Sequence, residues 1–298
     1  MRVVCAGLAT VDIVYRVDRI PGPDEKAQAQ AVEVAAGGPA ANAAVTAAAL
    51  GAEVTLVTAV GAHPLAALIR SDLGAHGVAL LDAAPDATGP PPISAIAVVA
   101  ATGARTIVSR NAGDVAVGVP EECERVLAAA DAVLTDGHHP ALARAAARAG
   151  RPLVVDAGSW RPVFGEILGY ATVVACSAAF RYPGADDAGT VRALRAAGVP
   201  QVAVTDGPRP VRWWSGDRSG EVVVPPVAAA DTAGAGDAFH GALAVMVGTG
   251  ATDMAAAVSY AIGVAGVRVR HAGPRAWLAD PRLSAFSIAT PGRSPERS

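Results

Sequence analysis

The segment Asp231-Thr-Ala-Gly-Ala-Gly-Asp237 carries the strongest chemical signal in the chain. Gly234 and Gly236 allow the backbone to turn sharply and to present main-chain N–H groups, and a helix predicted to begin near Ala235 adds the positive end of its dipole. We therefore expect Gly234, Ala235 and Gly236 to form an anion site. Asp237 falls in the first helical turn, where it can orient a substrate hydroxyl and accept its proton late, as phosphoryl transfer requires.

The position of Asp237 also predicts its ionisation. A helix N-terminus stabilises a carboxylate as the anion, so we expect the pKa of Asp237 to be low rather than raised. A purely structural interpretation stays open, in which the segment is a helix cap with a glycine turn and Asp237 serves only the helix dipole.

A second glycine-rich segment, Gly37-Gly-Pro-Ala-Ala-Asn42, is typical of a strand-to-helix connection. Gly38 lets a ligand approach main-chain atoms, and Asn42 can donate and accept hydrogen bonds with hydroxyls. Asp12 lies at the end of the first predicted strand, where its carboxylate can accept hydrogen bonds from two neighbouring sugar hydroxyls. The alternatives are an Asn42 that points at the backbone and an Asp12 on a surface hairpin.

Short β-rich runs alternate with Ala- and Leu-rich helical runs along most of the chain, which predicts a parallel sheet covered by helices and hence an α/β fold. The strand candidates are Val3–Ala6, Val54–Thr58, Ala132–Thr135, Leu153–Asp156, Thr172–Ala175 and Val202–Thr205. The helix candidates are Pro39–Leu50, Pro64–His76, Glu121–Ala130, Ala141–Ala149, Val191–Ala197, Ala235–Gly248 and Asp253–Val269.

Two regions interrupt this alternation. In residues 11–35 two strand-like segments flank the turn Ile20-Pro-Gly-Pro23, and in residues 93–110 two more flank a second turn. Apolar and polar residues partly alternate there, which indicates a sheet with one solvated face that could act as a lid over the main strands. We expect one domain over residues 1–280 and a frayed, polar tail over residues 281–298.

The composition excludes several classes of protein. Hydrophobic residues make up 52% of the 298 residues and charged residues 17%, which does not fit a disordered chain. The net charge is −3 and the 24 cationic residues form no basic run, so nucleic acid is not an expected partner. Lys26 is the only lysine, and no glycine-rich loop carries the lysine of a P-loop.

Cysteine usage and the N-terminus predict a cytoplasmic protein. Cys5, Cys123 and Cys176 have no paired or metal-ligand spacing, which fits small buried side chains in a reducing compartment. The chain enters a strand-like segment directly, without the apolar stretch of a signal peptide, and its longest uncharged stretch is too weakly apolar for a membrane span.

Three motifs in this order, Gly7 to Asp12, GGPAANAA and DTAGAGDAFHGAL, resemble those of the ribokinase-like family of carbohydrate kinases, also called the PfkB family. The resemblance covers residues 2–280. It implies a three-layer α/β/α ribokinase-like fold with a small β-sheet lid. It also implies an enzyme that uses Mg²⁺ and transfers the γ-phosphoryl group of ATP to a primary hydroxyl of a small sugar.

The resemblance assigns roles to individual residues. Asp237 matches the catalytic base, and the anion hole is matched by Gly234, Ala235 and Gly236. The sugar ligands are matched by Asp12, Gly38 and Asn42. The nucleotide side is matched by Ser177, Thr205, Gly207 and Gly273. The loops around Asp231 and Gly273 resemble a monovalent-cation site, with K⁺ as the candidate ion.

Two departures from the family pattern concern the metal and the nucleotide. Many members carry Asn-x-x-Glu after the strand that corresponds to Thr172–Ala175, with the Glu organising Mg²⁺, whereas here Ser177 takes the Asn position and no acid follows. A family Gly-x-x-Gly is replaced by Gly207-Pro-Arg-Pro210. Asp156, at the carboxyl end of a predicted strand, is the nearest candidate for an outer-shell contact with Mg²⁺.

The motifs GGPAA, SAAFRYPG and AGDAFHGALA are most similar to the ketose-kinase side of the family, which includes sulfofructose kinases. Those enzymes use an Arg for the sulfonate where this chain has Asp136-Gly-His-His139, so a sulfosugar is not expected. We expect His138 and His139 on an exposed loop. A ketose or a pentose is the expected substrate.

Two other functions stay open. A nucleoside kinase needs an apolar or aromatic clamp for the base, and the chain has no aromatic residue from Arg16 to Ser159. A non-catalytic sugar- or nucleotide-binding protein fits the missing Glu but not the intact motif that ends at Asp237. Two lids could pair into a homodimer, although we do not expect the exposed face of Ile93–Arg110 to be strongly apolar.

Overall fold

The computed structural model describes residues 1–113 and 117–288. The strands are β1 Arg2–Ala6, β2 Thr10–Val17, β3 Ala31–Gly37, β4 Glu53–Thr58, β5 Val78–Asp82, β6 Ile93–Val99, β7 Arg105–Ser109, β8 Ala132–Thr135, β9 Leu153–Ala157, β10 Val173–Ser177, β11 Gln201–Asp206, β12 Arg209–Ser215 and β13 Arg218–Val222. The helices are α1 Pro39–Ala49, α2 Pro64–Ala75, α3 Glu121–Ala128, α4 Pro140–Arg148, α5 Phe164–Ile167, α6 Asp187–Ala196, α7 Ala235–Gly248 and α8 Met254–Arg268.

The larger sheet has nine strands in the order β13-β12-β11-β10-β9-β8-β1-β4-β5 within the described residues. The strands from β11 to β5 in that order run parallel, and β12 and β13 add an antiparallel hairpin at one edge. Central strands such as β1 and β9 are buried almost throughout, as their continuous apolar sequences require.

Helices cover both faces of this sheet. Side chains from α1, α2, α7 and α8 pack on one face, and side chains from α3 to α6 pack on the other. The body therefore has three α/β/α layers, and the predicted fold class is confirmed. Strand β5 was not predicted, because it lies at the sheet edge and buries only one of its residues fully, so its sequence lacks the buried-strand pattern.

The second sheet has four strands in the order β3-β2-β6-β7. Strand β2 pairs antiparallel with β3 and parallel with β6, and β7 pairs antiparallel with β6. The predicted lid is thus present, although the residues between β2 and β3 form a longer connection than the Pro-Gly turn alone suggested. Because β2 starts at Thr10, shortly after the end of β1, the lid begins at the carboxyl ends of the main strands.

The predicted frayed tail is wrong for residues 281–288. Pro281–Phe286 forms a 3₁₀ helix in which Leu283 is buried, and the Tyr260 hydroxyl donates to the carbonyl of Phe286. Gly263 makes room for this packing, because a Cβ there would lie 2.5 Å from the Phe286 ring. The remainder of that prediction, residues 289–298, lies outside the described residues. None of the helices described is long and apolar enough to cross a membrane.

Candidate active site

A cavity of about 290 Å³ lies between the lid and the carboxyl ends of the main strands. This is where open α/β sheets place their ligands, and the volume is near the lower end of the roughly 300–1,000 Å³ of small-molecule sites. Its lid wall includes Asp12, Val14, Ser94, Ile96, Arg105 and Ser109. Its opposite wall includes Asn42, His138, Asp231, Gly234, Asp237, Arg268, Arg275 and Trp277. The predicted acceptor residues therefore share one cavity.

The N-terminus of α7 faces this cavity without a side-chain cap. Gly234 takes the N-cap position with φ +71°, a left-handed conformation that glycine adopts without strain. A Cβ built on Gly236 would meet no atom within 4 Å, so the main chain there borders open space. The N–H of Ala235 already donates to the Thr232 carbonyl at 3.4 Å, and the uncapped N–H groups that follow it are left for an anion, as the sequence predicts.

Asp237 lies in the first turn of α7, and its carboxylate accepts a hydrogen bond of 2.8 Å from the side-chain amide of Asn42. Burial and the nearby Asp156 carboxylate raise the pKa of Asp237 to about 6, against the opposing effects of Asn42 and His240. The expectation of a low pKa was therefore wrong. The helix dipole is outweighed by desolvation and by a second negative charge that the local sequence does not reveal.

Asp156 is the penultimate residue of β9 and is 6% exposed. One of its carboxylate oxygens lies 3.2 Å from Nδ1 of the buried His240, whose Nε2 lies 3.2 Å from the carbonyl oxygen of Ala175. Burial alone would lower the pKa of His240, but Asp156 outweighs burial and raises it. This aspartate therefore has a partner in the fold rather than an open position on the cavity wall.

Asn42 is held at both ends of its amide. Its nitrogen donates to Asp237, and its oxygen accepts a 3.2 Å hydrogen bond from Nη1 of Arg275. The other guanidinium nitrogens of Arg275 donate to Asp72 at 2.7 and 3.1 Å and to the carbonyl of Ala36 at 2.6 Å. An ordered path thus runs from Asp72 to Asp237. Sequence reasoning missed Arg275 and Asp72, because neither lies in a motif and they are far apart along the chain.

Asp12 projects from β2 into the cavity and accepts a hydrogen bond from the Thr10 hydroxyl at 2.5 Å. Burial raises the pKa of Asp12, and hydrogen bonds from Thr10 and Ser94 oppose this. The neighbouring Gly37 is what admits this side chain, because a Cβ on Gly37 would lie 2.0 Å from the Asp12 carboxylate. Gly38 has φ +93° and lines the cavity, as predicted for a close approach to the main chain.

The loop after β8 differs from the expected exposed loop. Asp136 is 2% exposed and accepts main-chain hydrogen bonds from Leu8, Ala40 and His138. Burial alone would raise the pKa of Asp136, but His138 and these N–H groups outweigh it and lower the pKa. His138 lines the cavity and His139 is buried, so the prediction of an exposed pair was wrong. Asp136 fixes the loop after β1, which leads into β2 and Asp12, and the start of α1, which carries Asn42.

Three of the four predicted nucleotide residues, Ser177, Thr205 and Gly207, do not line the cavity and lie along neighbouring strand ends. Ser177 of β10 pairs in register with Thr205 of β11, and Gly207 forms the turn into β12 with φ +56°. The hydroxyls of Ser177 and Thr205 donate to main-chain carbonyls at 3.4 Å. We call this group the nucleotide side, and the group Asp12, Asn42, Asp237 and Arg275 the acceptor side.

Asp231 and Gly273 meet, as the resemblance implied. The N–H of Gly273 donates to Asp231 at 3.3 Å, and the N–H of Ala233 donates at 2.9 Å. The guanidinium of Arg268 also contacts this carboxylate, at 3.5 Å. Burial lowers the pKa of Arg268, and Asp231 opposes that effect.

The described side chains form no metal centre of their own. Across residues 1–113 and 117–288 no group of three or more His, Cys, Asp or Glu side chains could hold a metal ion. Mg²⁺ bound to a nucleotide needs few protein ligands, since it keeps several waters. Asp156 is paired with His240 and does not line the cavity, so only a long-range, outer-shell role is left to it. A monovalent ion at Asp231 does not fit, because the Arg268 guanidinium and two N–H groups already contact that carboxylate.

The comparisons with known proteins agree with this geometry. The profile of the pfkB family carbohydrate kinases matches residues 1–280. Ribokinase from Bacillus subtilis is 29% identical over 277 residues, covering 88% of this chain and 90% of that protein. An ATP-dependent ribose-1-phosphate kinase from Halopiger xanaduensis is 32% identical over 162 residues, covering 53% of this chain and 54% of that one.

A solved structure shows the same fold. Arabidopsis thaliana ribokinase complexed with ribose and ATP superimposes with a TM-score of 0.79 at 22% identity, covering 96% of this chain and 99% of that one. The chain belongs to the pfkB family of carbohydrate kinases. It is accordingly a phosphotransferase with an alcohol group as acceptor, and its sheet and lid are those of the ribokinase-like fold.

Proposed function

We propose that this chain is an ATP-dependent pentose kinase that phosphorylates a primary hydroxyl of its sugar. One observation carries the proposal: Asp237, with a pKa of about 6, shares a cavity with the uncapped N-terminus of α7 and with Asp12 and Asn42. A base with a pKa near the working pH is suited to receive a hydroxyl proton. The small cavity and the ribokinases among the relatives favour a pentose over a larger sugar.

In the proposed reaction, Asp12 and Asn42 hold the sugar hydroxyls and direct one hydroxyl toward Asp237. As the sugar oxygen bonds to the γ-phosphorus of ATP, its proton passes to Asp237 and ADP leaves. The N–H groups at Gly234, Ala235 and Gly236 stabilise the negative charge of the phosphoryl group during transfer. The nucleotide would extend from the cavity toward Ser177, Thr205, Gly207 and Gly273.

Mg²⁺, when bound, neutralises charge on the phosphates of ATP. We propose that the phosphates and water supply its inner ligands and that Asp156 contributes charge from the outer shell. Asp156→Asn should then raise the Mg²⁺ concentration for half-maximal rate. Asp186→Asn is the matched control, because Asp186 caps α6 rather than lying near the cavity. An unchanged Mg²⁺ titration for Asp156→Asn would remove it from metal binding.

A second candidate is a kinase for sugar phosphates. Arg105 reaches from the lid to the Thr232 hydroxyl at 2.7 Å and lines the cavity, so a cation faces the space beside the sugar site. A relative named ATP-dependent ribose-1-phosphate kinase agrees with this alternative. A nucleoside is disfavoured: Trp277, the one Trp, Tyr or Phe on the described cavity wall, is 3% exposed and offers little surface for base stacking.

The deciding experiment measures ADP release from ATP and Mg²⁺ with D-ribose, D-fructose, ribose 1-phosphate and adenosine as separate acceptors. We expect ribose to give the highest kcat/KM, and Asp237→Asn to remove most of that activity. Preference for fructose would assign a ketose kinase, and preference for ribose 1-phosphate would assign the second candidate. Binding of sugar without turnover of any acceptor would identify a non-catalytic binding protein.

We also propose a cytoplasmic homodimer formed through the lids. The outer lid face carries the exposed side chains of Tyr15, Val32, Val34 and Val108, of which Val108 is 72% exposed. This face is more apolar than the sequence of Ile93–Arg110 suggested, and a second copy of the same sheet would cover it. Val108→Lys should shift the mass measured by light scattering from dimer to monomer. Val223→Lys, equally exposed but outside the lid, should not.

A further inference from the structure

Arg268 is a buried cation at the junction of the two loops that resemble a monovalent-cation site. It lies at the end of α8, its side chain is 5% exposed, and Nη2 lies 3.5 Å from the Asp231 carboxylate. Nη1 donates to the carbonyl of His271 at 3.0 Å. One guanidinium therefore contacts both a carboxylate and a main-chain carbonyl, which are the oxygen donors that a K⁺ ion would use there.

The other contacts of the Asp231 carboxylate are also with N–H donors. Its two oxygens accept hydrogen bonds from the N–H groups of Ala233 and Gly273 as well as from Arg268. A buried ion pair is retained when both members are hydrogen-bonded, and a second cation at the same carboxylate would be repelled by the guanidinium. The site is thus occupied by the chain itself.

Arg268 also lies beside the start of α7. A Cβ built on Gly234 would lie 3.6 Å from Nε of Arg268 and 3.8 Å from the Asp237 carboxylate, so the guanidinium borders the N-terminus where the anion is expected. Arg268 lines the cavity. An arginine stays protonated in proteins, so its charge is permanent at this position.

We propose that the guanidinium of Arg268 takes the place of the monovalent cation, so that phosphoryl transfer by this protein needs no K⁺. The inference rests on the proposed kinase function. The positive charge that a bound ion would lend to the phosphoryl site comes from a side chain fixed by Asp231 and His271. This protein then differs from an ion-activated kinase in having the charge covalently attached and always present.

Initial rates in potassium, sodium and N-methyl-D-glucamine chloride at equal ionic strength test the proposal. We expect the wild-type kcat to vary by less than about twofold, since no ion enters the site, whereas Arg268→Ala should lower kcat by about 10²-fold with little change in KM for the sugar. Potassium or guanidinium chloride should restore part of the lost rate in Arg268→Ala. Arg268→Lys keeps a positive charge but not the planar guanidinium, so its kcat should lie between those of the wild type and Arg268→Ala.

The matched control is Arg270→Ala, two residues further on and exposed, which should retain the wild-type rate. A wild-type rate about tenfold higher in potassium than in N-methyl-D-glucamine would show that an activating ion binds to the protein. That result overturns the proposal. So does an Arg268→Ala variant that folds and works at the wild-type rate.

Thermal unfolding separates this proposal from the proposed function. An ion that binds the folded state raises the unfolding temperature whether or not the kinase assay succeeds. The wild type should unfold at the same temperature in potassium and N-methyl-D-glucamine salts, and Arg268→Ala should be stabilised selectively by potassium or guanidinium at low concentration. Selective stabilisation of the wild type by potassium rejects the proposal even if no acceptor sugar is found.

Discussion

The acceptor side and the nucleotide side of this site are built in different ways. On the acceptor side, charged side chains are joined in one hydrogen-bonded path from Asp72 to Asp237. On the nucleotide side, the hydroxyls of Ser177 and Thr205 make 3.4 Å hydrogen bonds to carbonyls of their own neighbourhood. Removing one member of the first group leaves buried polar partners unpaired, whereas the second group presents mainly backbone. Side-chain substitutions should therefore be costly on one side and mild on the other.

The largest effect is expected at Asp237. Asp237→Asn keeps the size of the side chain but removes the proton acceptor, so kcat should fall by about 10²–10⁴-fold with little change in sugar binding. The wild-type kcat/KM should also decline as pH falls through about 6, the pKa of this base in the free enzyme. Steady-state kinetics of the variant and the wild type from about pH 5 to about pH 8.5, a range that brackets this pKa, measure both effects. A variant within threefold of wild type would exclude Asp237 as the base.

The same substitution should change stability in a pH-dependent way. The pKa of folded Asp237, about 6, lies above the value of about 3.9 for an unfolded aspartate, so the folded chain binds the extra proton between those values. The contribution of this group to stability consequently falls as pH rises through that interval. Asp237→Asn should be more stable than wild type at pH 7.5, and urea unfolding should show the difference shrinking toward pH 4.

Arg275 should come next in size. Arg275→Ala frees the amide of Asn42 and leaves Asp72 and the Ala36 carbonyl without their donor, so kcat should fall by about 10-fold to 100-fold and urea stability should drop by about 1–3 kcal/mol. Because the Asn42 hydrogen bond lowers the pKa of Asp237, its loosening should move the acidic limb of the rate profile to higher pH.

That pH shift distinguishes a positioning role for Arg275 from a merely structural one. Arg282→Ala is the control, since its side chain is 63% exposed and lies away from the cavity wall. If Arg275→Ala lost stability but kept the wild-type rate profile, the path from Asp72 would serve the fold alone.

The sequence predicts the parts of this molecule that depend on local pattern. Buried parallel strands and the helix of the Gly234 motif follow from apolar runs and glycine turns. Strand β5 and the ordering of residues 281–288 do not, because they depend on partners contributed by distant segments. The start of α6 was also placed too late, at Val191 rather than Asp187, because the cap formed by the Asp186 side chain was not recognised.

The chemistry of the site divides in the same way. Asp12, Asn42 and Asp237 could be assigned to one site because their motifs resemble those of a family. The raised pKa of Asp237 could not be predicted, since it requires Asp156 to lie nearby in space. Arg268 and Arg275 gave no signal, because an arginine near the end of a helix or in a loop is common in a sequence with 24 cationic residues.

A smaller effect on the acceptor side is expected at Gly37. Gly37→Ala places a methyl group 2.0 Å from the Asp12 carboxylate, which must then rotate away from the sugar site. KM for the sugar should rise by about tenfold, the cost of one lost polar contact, with kcat nearly unchanged. Gly74→Ala is the control, because a Cβ there meets no atom within 4 Å and the residue lies in helix α2. An unchanged KM would mean that Asp12 does not contact the sugar.

The smallest effect is expected at Ser177, and it tests the comparison from the other side. Its hydroxyl makes one long hydrogen bond, to the Gly158 carbonyl, and Thr205 beside it makes another to Cys176. If backbone atoms and shape hold the nucleotide, Ser177→Ala and Thr205→Val should each change KM for ATP by less than about threefold. That change is smaller than the loss of a well-formed hydrogen bond to the ligand would cause. A rise above tenfold in either variant would show that the nucleotide side, like the acceptor side, recognises its ligand through side chains.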